Sequence, residues 1–372
     1  MILGFETTLA VYLALIGLFR LIWGYSRTGA LVMLTVTGLV LIGLLNVLLL
    51  GYLVAQILWV LVLHLLCRKF PDRAITISWF AFVGLIPFNL QLWFGSVEGF
   101  ASIRSNLQGG ADAAVIWTAG ATFFVLKSFI GLREARLEGK LQLLPLLAGL
   151  TFVPSFPAGP IFGSQPFRPE RIKDVLTLRD VGLAIMKMGW GAAAFYVLAP
   201  WARYWIKHNS EGLLGDVADV YLQLVALFFD FSGYSLMAIA FGALIGVTLP
   251  ENFNRPYLAT NIQEFWQRWH MSLSAAIGTY LFKPFVRMTG KPQKGIFLAF
   301  ATVGLWHEFS IGYLLWGVGH GAALSMAMKP PVLWRKIMGP LPMPLRKAIG
   351  WFLTVTWVAL LSYCAGGFFW GK

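Results

Sequence analysis

The sequence predicts an all-α polytopic integral membrane protein, and three observations carry that expectation. Of its 372 residues, 58% are apolar and only 12% are charged, where a soluble domain carries about 25% charged residues. Apolar runs near or above about 18 residues, the length of a membrane helix, recur from one end to the other. Sixteen Trp and thirty Phe suit the aromatic belts at the two membrane interfaces. The mean hydropathy of +0.72 agrees.

The apolar runs lie near 8–23, 30–47, 48–67, 74–96, 113–132, 141–156, 180–202, 217–231, 233–249, 272–288, 296–306, 310–328 and 348–369. Several are shorter than a full span, so about ten or eleven transmembrane helices plus re-entrant or interfacial pieces are expected. Residues 30–67 are apolar for too long to be one helix, and Asn46 to Gly51 is the expected bend. The N-terminal run lacks a basic leader and carries Glu6. With further spans behind it, it reads as a retained helix rather than a cleaved signal peptide. No internal repeat or linker divides the chain, so a single integral membrane domain over 1–372 is expected.

The net charge of +13 invites comparison with nucleic-acid binders, but the bases fall in short loops between apolar runs. The cytoplasmic-loop bias accounts for them, and no nucleic-acid partner is expected. Clusters at Arg68, Lys69 and Arg73, at Arg133, Arg136 and Lys140, and at Arg168, Arg171 and Lys173 mark cytoplasmic loops. The loop 97–112, with Arg104 as its only base, and the N-terminus then face outside. Cys67 and Cys364 form no disulfide framework or CxxC metal motif. Segment 152–174 holds five prolines and no helical period. It reads equally as an ordinary cytoplasmic loop or as part of the wall of a reaction chamber.

Chemistry concentrates between Asp230 and His320. Asp230, Ser232, Tyr234 and Ser235 sit between two apolar runs, where polar groups require partners or water. Close helix packing and a polar cavity wall both account for them. Thr260 is placed to cap a helix beginning at Asn261, with Glu264 in its first turn. Phe265, Trp266, Trp269 and His270 alternate with Gln267 and Arg268, an aromatic, amphipathic turn suited to the interface. A belt helix alone does not explain a histidine followed by Ser272 and Ser274 as the chain re-enters apolar sequence.

His307, flanked by Trp306 and Glu308, is an imidazole within a membrane segment and therefore a functional candidate. A neutral imidazole suits acid–base work near pH 7. His270 and His307 are separated by a helix, a basic turn from Lys291 to Lys294 and a returning helix, so they are free to meet. His307 and His320 would lie about 20 Å apart on a continuous helix, facing opposite ways, which argues against a shared site. No GxSxG elbow, phosphate loop, HExxH or HxxxxD occurs, and no carboxylate or thiol stands at ligand spacing from either core histidine, so no metal is expected.

These residues resemble the membrane-bound O-acyltransferases. The pattern Asn-x-x-x-Phe-Trp-x-Arg-Trp-His-x-Ser-x-Ser is present as Asn261, Phe265, Trp266, Arg268, Trp269, His270, Ser272 and Ser274. Gly304-Leu305-Trp306-His307 follows, then Trp316, Gly317, His320 and Gly321. Phe231 to Tyr234 and Asn252 to Pro256 look most like the branch that moves D-alanyl groups onto teichoic acids. Gly278 and Thr279 stand where related bacterial sequences often carry Arg and Asp before Tyr280, and Glu308 stands where Gly usually follows the histidine.

The resemblance implies tilted helices around a thinned centre with a central tunnel. It divides the chain into peripheral helices over 1–140, a catalytic core over 150–328 and a C-terminal helix over 345–372. It implies an acyl group, such as D-alanyl or acetyl, moved from a thioester to an envelope hydroxyl in the inner membrane of a bacterium. The donor would be a phosphopantetheine thioester on an acyl carrier protein, or acyl-coenzyme A, with no tightly bound cofactor. A secreted or membrane-anchored partner and membrane lipid complete the expected company. His307 is the implied base and His270 its partner. Asn261, Trp266, Arg268, Trp269, Ser272, Ser274, Trp306, Glu308, Asp230 and Tyr234 would line the tunnel. The competing readings are a transporter or channel with a histidine proton relay, which expects paired charges spread through several spans, and a purely structural membrane subunit.

Overall fold

A long apolar chain away from water satisfies its backbone N–H and C=O groups internally by coiling into helices. The computed structural model describes residues 5–45, 47–85, 111–208, 212–307 and 310–366, and among them there are helices and no strand. The chain is an all-α polytopic membrane protein. Five helices among the described residues are long and apolar enough to cross a bilayer, over Arg27–Leu44, Leu49–Lys69, Leu178–Ile206, Leu213–Leu244 and Met343–Ala365. The outer loop expected at 97–112 and the site candidate Glu308 lie wholly or largely outside the described residues.

Two units make up the chain, residues 1–189 with 235–250 and residues 190–234 with 251–372. The first opens with helices α1 (Phe5–Tyr25), α2 (Arg27–Leu45) and α3 (Val47–Lys69). Asn46, where the expected bend begins, lies outside the described residues. Next come α4 (Ala74–Trp79), α5 (Ala111–Glu138) and the short α6 (Leu143–Leu150). Phe19, Trp23, Leu31, Phe152, Phe162, Phe167 and Ile239 form one apolar core, and Ile42, Leu53, Phe124, Leu146 and Phe156 form another.

The proline-rich segment 152–174 is largely buried inside this first unit. Short 3-10 turns satisfy part of its backbone, and α5 supplies charged side chains for the rest. The Lys127 amine donates to the Ser155 hydroxyl at 2.9 Å and lies 4.2 Å over the Phe162 ring. Glu134 accepts from both the Ser164 N–H and its hydroxyl at 2.7 Å. Arg168 reaches Glu138 at 2.7 Å. The segment is a packed element of the unit rather than a solvated loop.

The second unit begins within α7 (Leu178–Ala193), which continues through a π-turn at Ala194–Leu198 into α8 (Ala199–Lys207). Helix α9 (Leu213–Leu244) is one 32-residue element, where two separate runs were expected. The polar residues 230–235 do not interrupt it, because Gly233 permits close approach: a Cβ there would overlap the Gly191 carbonyl and the Phe195 backbone. After an extended segment come α10 (Ile262–Arg268) and α11 (Met271–Ile277). A π-turn at Gly278–Phe282 leads into α12 (Lys283–Thr289). Gly278, Thr279 and Tyr280, where the family's usual pattern is altered, occupy that turn.

Helices α13 (Pro292–His307) and α14 (Ile311–Met328) form an antiparallel hairpin, followed by α15 (Val332–Met338) and α16 (Met343–Gly366). The hairpin packs backbone against backbone, as small residues allow in membranes. A Cβ at Gly304 would strike the Tyr313 carbonyl, and one at Gly317 the Phe300 carbonyl.

Candidate functional site

Helix α10 starts one residue later than the sequence predicts. Asn261 is the cap, and its side chain accepts from the Glu264 N–H at 2.9 Å. Thr260 instead turns back, its N–H donating to the Glu264 carboxylate at 2.7 Å and its hydroxyl at 3.1 Å. This is the reciprocal capping-box arrangement shifted along the chain. The Thr260 N–H holds the Glu264 carboxyl below the usual carboxylate range, and the Thr260 hydroxyl and Arg268 add to it. Arg268 meets Glu264 at 2.5 Å.

The helix ends at Trp269, and His270 takes a left-handed backbone with φ 43° and ψ 53°. For a residue other than glycine this costs about 1–2 kcal/mol, so something must hold it. Asn252 does. Its backbone carbonyl accepts from the Met271 N–H at 2.9 Å, and the Asn254 N–H donates to the Arg268 carbonyl at 2.9 Å. Its side-chain oxygen takes the Ser272 hydroxyl at 2.5 Å, the Ser272 N–H at 3.4 Å and His270 Nδ1 at 3.2 Å. A backbone N–H only donates, so the Asn252 atom in this position is its oxygen. His270 Nδ1 is therefore the protonated nitrogen, and Nε2 carries the lone pair. Phe231 stands edge-on to the imidazole at 4.6 Å.

His307 closes α13, partly exposed. Its ring packs against Trp306 at 4.7 Å, Tyr313 at 5.7 Å and Trp316 at 5.5 Å. The chain reverses after His307, and Ser310 caps α14 by accepting from the Tyr313 N–H. This overturns the argument that kept His307 and His320 apart, which assumed one continuous helix. Trp316 and His320 are one turn apart on α14, and Trp316 touches both imidazoles, His320 at 4.7 Å. His320 is completely buried, and the Trp266 indole N–H donates to its Nδ1 at 3.3 Å.

The remaining candidates distribute around this centre. Trp269 stacks among Phe228, Phe253, Tyr257 and Phe265. Ser274 donates to the Trp266 carbonyl at 3.1 Å. Asp230 is ion-paired with Arg203, which answers its charge at membrane depth, and Tyr234 stands edge-on to Phe195 at 6.1 Å. Sequence reasoning left Asn252 and His320 out of the site. Asn252 stood in a quoted motif, and Ser310, a capping residue before an apolar run, signalled the chain reversal. No group of three His, Cys, Asp or Glu able to hold a metal occurs among the described residues.

Helices of membrane length, together with the imidazoles His270 and His320 that the second unit holds by hydrogen bonds, define a multi-pass membrane protein with polar groups inside that unit. Residues 201–360, somewhat under half of the chain, match the membrane-bound O-acyltransferase family. It is 29% identical over 227 residues to a teichoic acid D-alanyltransferase of Bacillus subtilis (strain 168), covering 55% of this chain and 56% of that protein. It is 30% identical over 222 residues to a peptidoglycan O-acetyltransferase of Helicobacter pylori, covering 57% and 41%. A teichoic acid D-alanyltransferase of Streptococcus thermophilus is 26% identical over 352 residues, covering 86% and 82%. The chain thus spans about half the length of the first two relatives.

Proposed function

We propose that the protein transfers an acyl group from a thioester donor to a hydroxyl of the cell envelope. The observations that support this reading are His307 at the end of α13, packed against Trp306, Tyr313 and Trp316, and, in the same unit, His270 held by Asn252 in one tautomer. His307 takes the proton of the acceptor hydroxyl, the oxygen adds to the thioester carbonyl, and the departing sulfur receives the proton. His270, fixed by Asn252, sets the polarity beside it. The donor is a phosphopantetheine thioester on an acyl carrier protein or acyl-coenzyme A, and the acceptor is presented by a secreted or membrane-anchored partner. The relatives' names include both D-alanyl and acetyl transfer, and the acyl group here is one of this small, short-chain class.

The test is to incubate the purified protein with labelled acetyl-coenzyme A and with D-alanyl acyl carrier protein, and to follow label into a hydroxylated envelope polymer. His307→Ala is expected to lower transfer by at least about 10³-fold while leaving insertion and thermal stability intact. Full transfer in that variant would overturn the reading. A proton relay without acyl transfer would show as proton flux in vesicles that disappears with the same substitution.

A further inference from the structure

We propose that His320 is the hydrogen-bond donor to the carbonyl oxygen of the acyl thioester, a role that rests on the acyl-transfer reading above. An indole N–H only donates, so the bond from Trp266 makes His320 Nδ1 an acceptor. A neutral imidazole accepting at Nδ1 carries its proton on Nε2. That Nε2–H is buried and meets no acceptor among the described residues. Leaving a buried donor unmet costs about 1–3 kcal/mol, and such a group in a folded protein calls for a reason.

The surroundings supply one. The His320 ring is packed by Trp266 at 5.0 Å, Trp316 at 4.7 Å and Phe300 at 6.2 Å, apolar surroundings in which a hydrogen bond from Nε2–H to a carbonyl oxygen is stronger than in water. Trp316 is shared with His307 at 5.5 Å, so donor and base stand on the same indole. In its fixed tautomer Nε2 has no lone pair to accept a proton, which separates its task from that of His307. The step then balances. The hydroxyl proton passes to His307 and the new C–O bond forms. The carbonyl electron pair moves onto the oxygen that faces His320 Nε2–H, and collapse expels the sulfur, which takes the proton from His307. A donor placed where charge develops is worth far more in a water-poor site than in bulk.

The experiment uses the full chain in nanodiscs, with acetyl-coenzyme A and D-alanyl acyl carrier protein as donors. His320→Phe, which keeps a ring but no donor, is expected to lower kcat about 10²–10³-fold while KM for the thioester changes less than about threefold. His320→Gln restores an N–H at the ε position and is expected to recover most of the lost kcat with an unaltered pH profile. Trp266→Phe leaves the imidazole but frees its tautomer, and kcat should fall while KM holds. The donor role is overturned if His320→Phe keeps parental kcat, if the loss appears only in KM, or if His320→Gln is as inactive as His320→Phe. Should His320→Phe not fold, an unchanged kcat in Trp266→Phe with an inactive His320→Gln overturns it equally. His307→Ala run alongside separates the two ideas. If it is inactive while His320→Phe is active, only the donor assignment falls; if it is fully active, the base role of His307 falls; and if the parent chain moves no label from either donor, acyl transfer itself falls.

Discussion

In the first unit Glu134 of α5 accepts from both Ser164 donors while Arg168 reaches Glu138, so each charged group is answered by another side chain or backbone group nearby. In the second unit His270 and His320 are each oriented through Nδ1 by one neutral partner, Asn252 and Trp266. The first pattern consumes charge to pin a proline-rich segment that lacks a regular ladder of its own. The second consumes one face of each imidazole to decide which nitrogen carries the proton. Charged pairs also occur in the second unit, at Asp230 with Arg203 and Glu264 with Arg268, so the contrast is between a charged group that pins backbone and a neutral group that sets an imidazole tautomer.

The comparison breaks most visibly at Glu134. Glu134→Ala strands the Ser164 N–H and its hydroxyl proton in a buried site, while Arg168 keeps Glu138, and should destabilise the protein by about 3 kcal/mol, read as a lower thermal unfolding midpoint in detergent. Transfer per folded molecule should be unchanged; a selective loss of transfer with the midpoint intact would erase the distinction between the units. Asn252→Ala in the second unit should cost about 2 kcal/mol and, in addition, lower kcat by releasing His270 from its tautomer. Stability loss alone, at parental kcat, would move Asn252 into the structural class.

Smaller effects sharpen the picture at α10. Asn261→Ala removes the cap and should cost about 1 kcal/mol, with transfer following stability and nothing more. Glu264 has a folded-state pKa below its unfolded one. Its contribution is therefore present above the unfolded value of about 4.3 and is lost as pH falls through the lower, folded value. The parent should lose a few tenths of a kcal/mol of stability across that acidic window relative to Glu264→Gln, in pH-dependent unfolding midpoints. An identical pH dependence in both would remove the carboxylate from the cap.

The helical fold was legible because a chain poor in charge and built of long apolar runs has little alternative in lipid. His270 and His307 stood out for a related reason, since imidazoles are scarce at that depth. What sequence hid was chain direction. Asp230 to Ser235 looked like a break, yet Gly233 lets α9 pass close to Gly191 without one. The stretch from His307 to His320 looked continuous, yet it reverses. Asn252 was hidden by distance, because its role exists only once 252–254 and 268–272 lie side by side.

The left-handed turn at His270 also governs how position 270 tolerates replacement. That region of backbone space is open to Gly and Asn and closed to β-branched side chains. Asn can therefore stand at 270 without distorting the chain, and His270→Asn isolates the absence of an imidazole, whereas His270→Val would mix that absence with a forced rearrangement of the main chain. Anyone scanning this position should find its tolerance ranked by conformational preference first and by chemistry second.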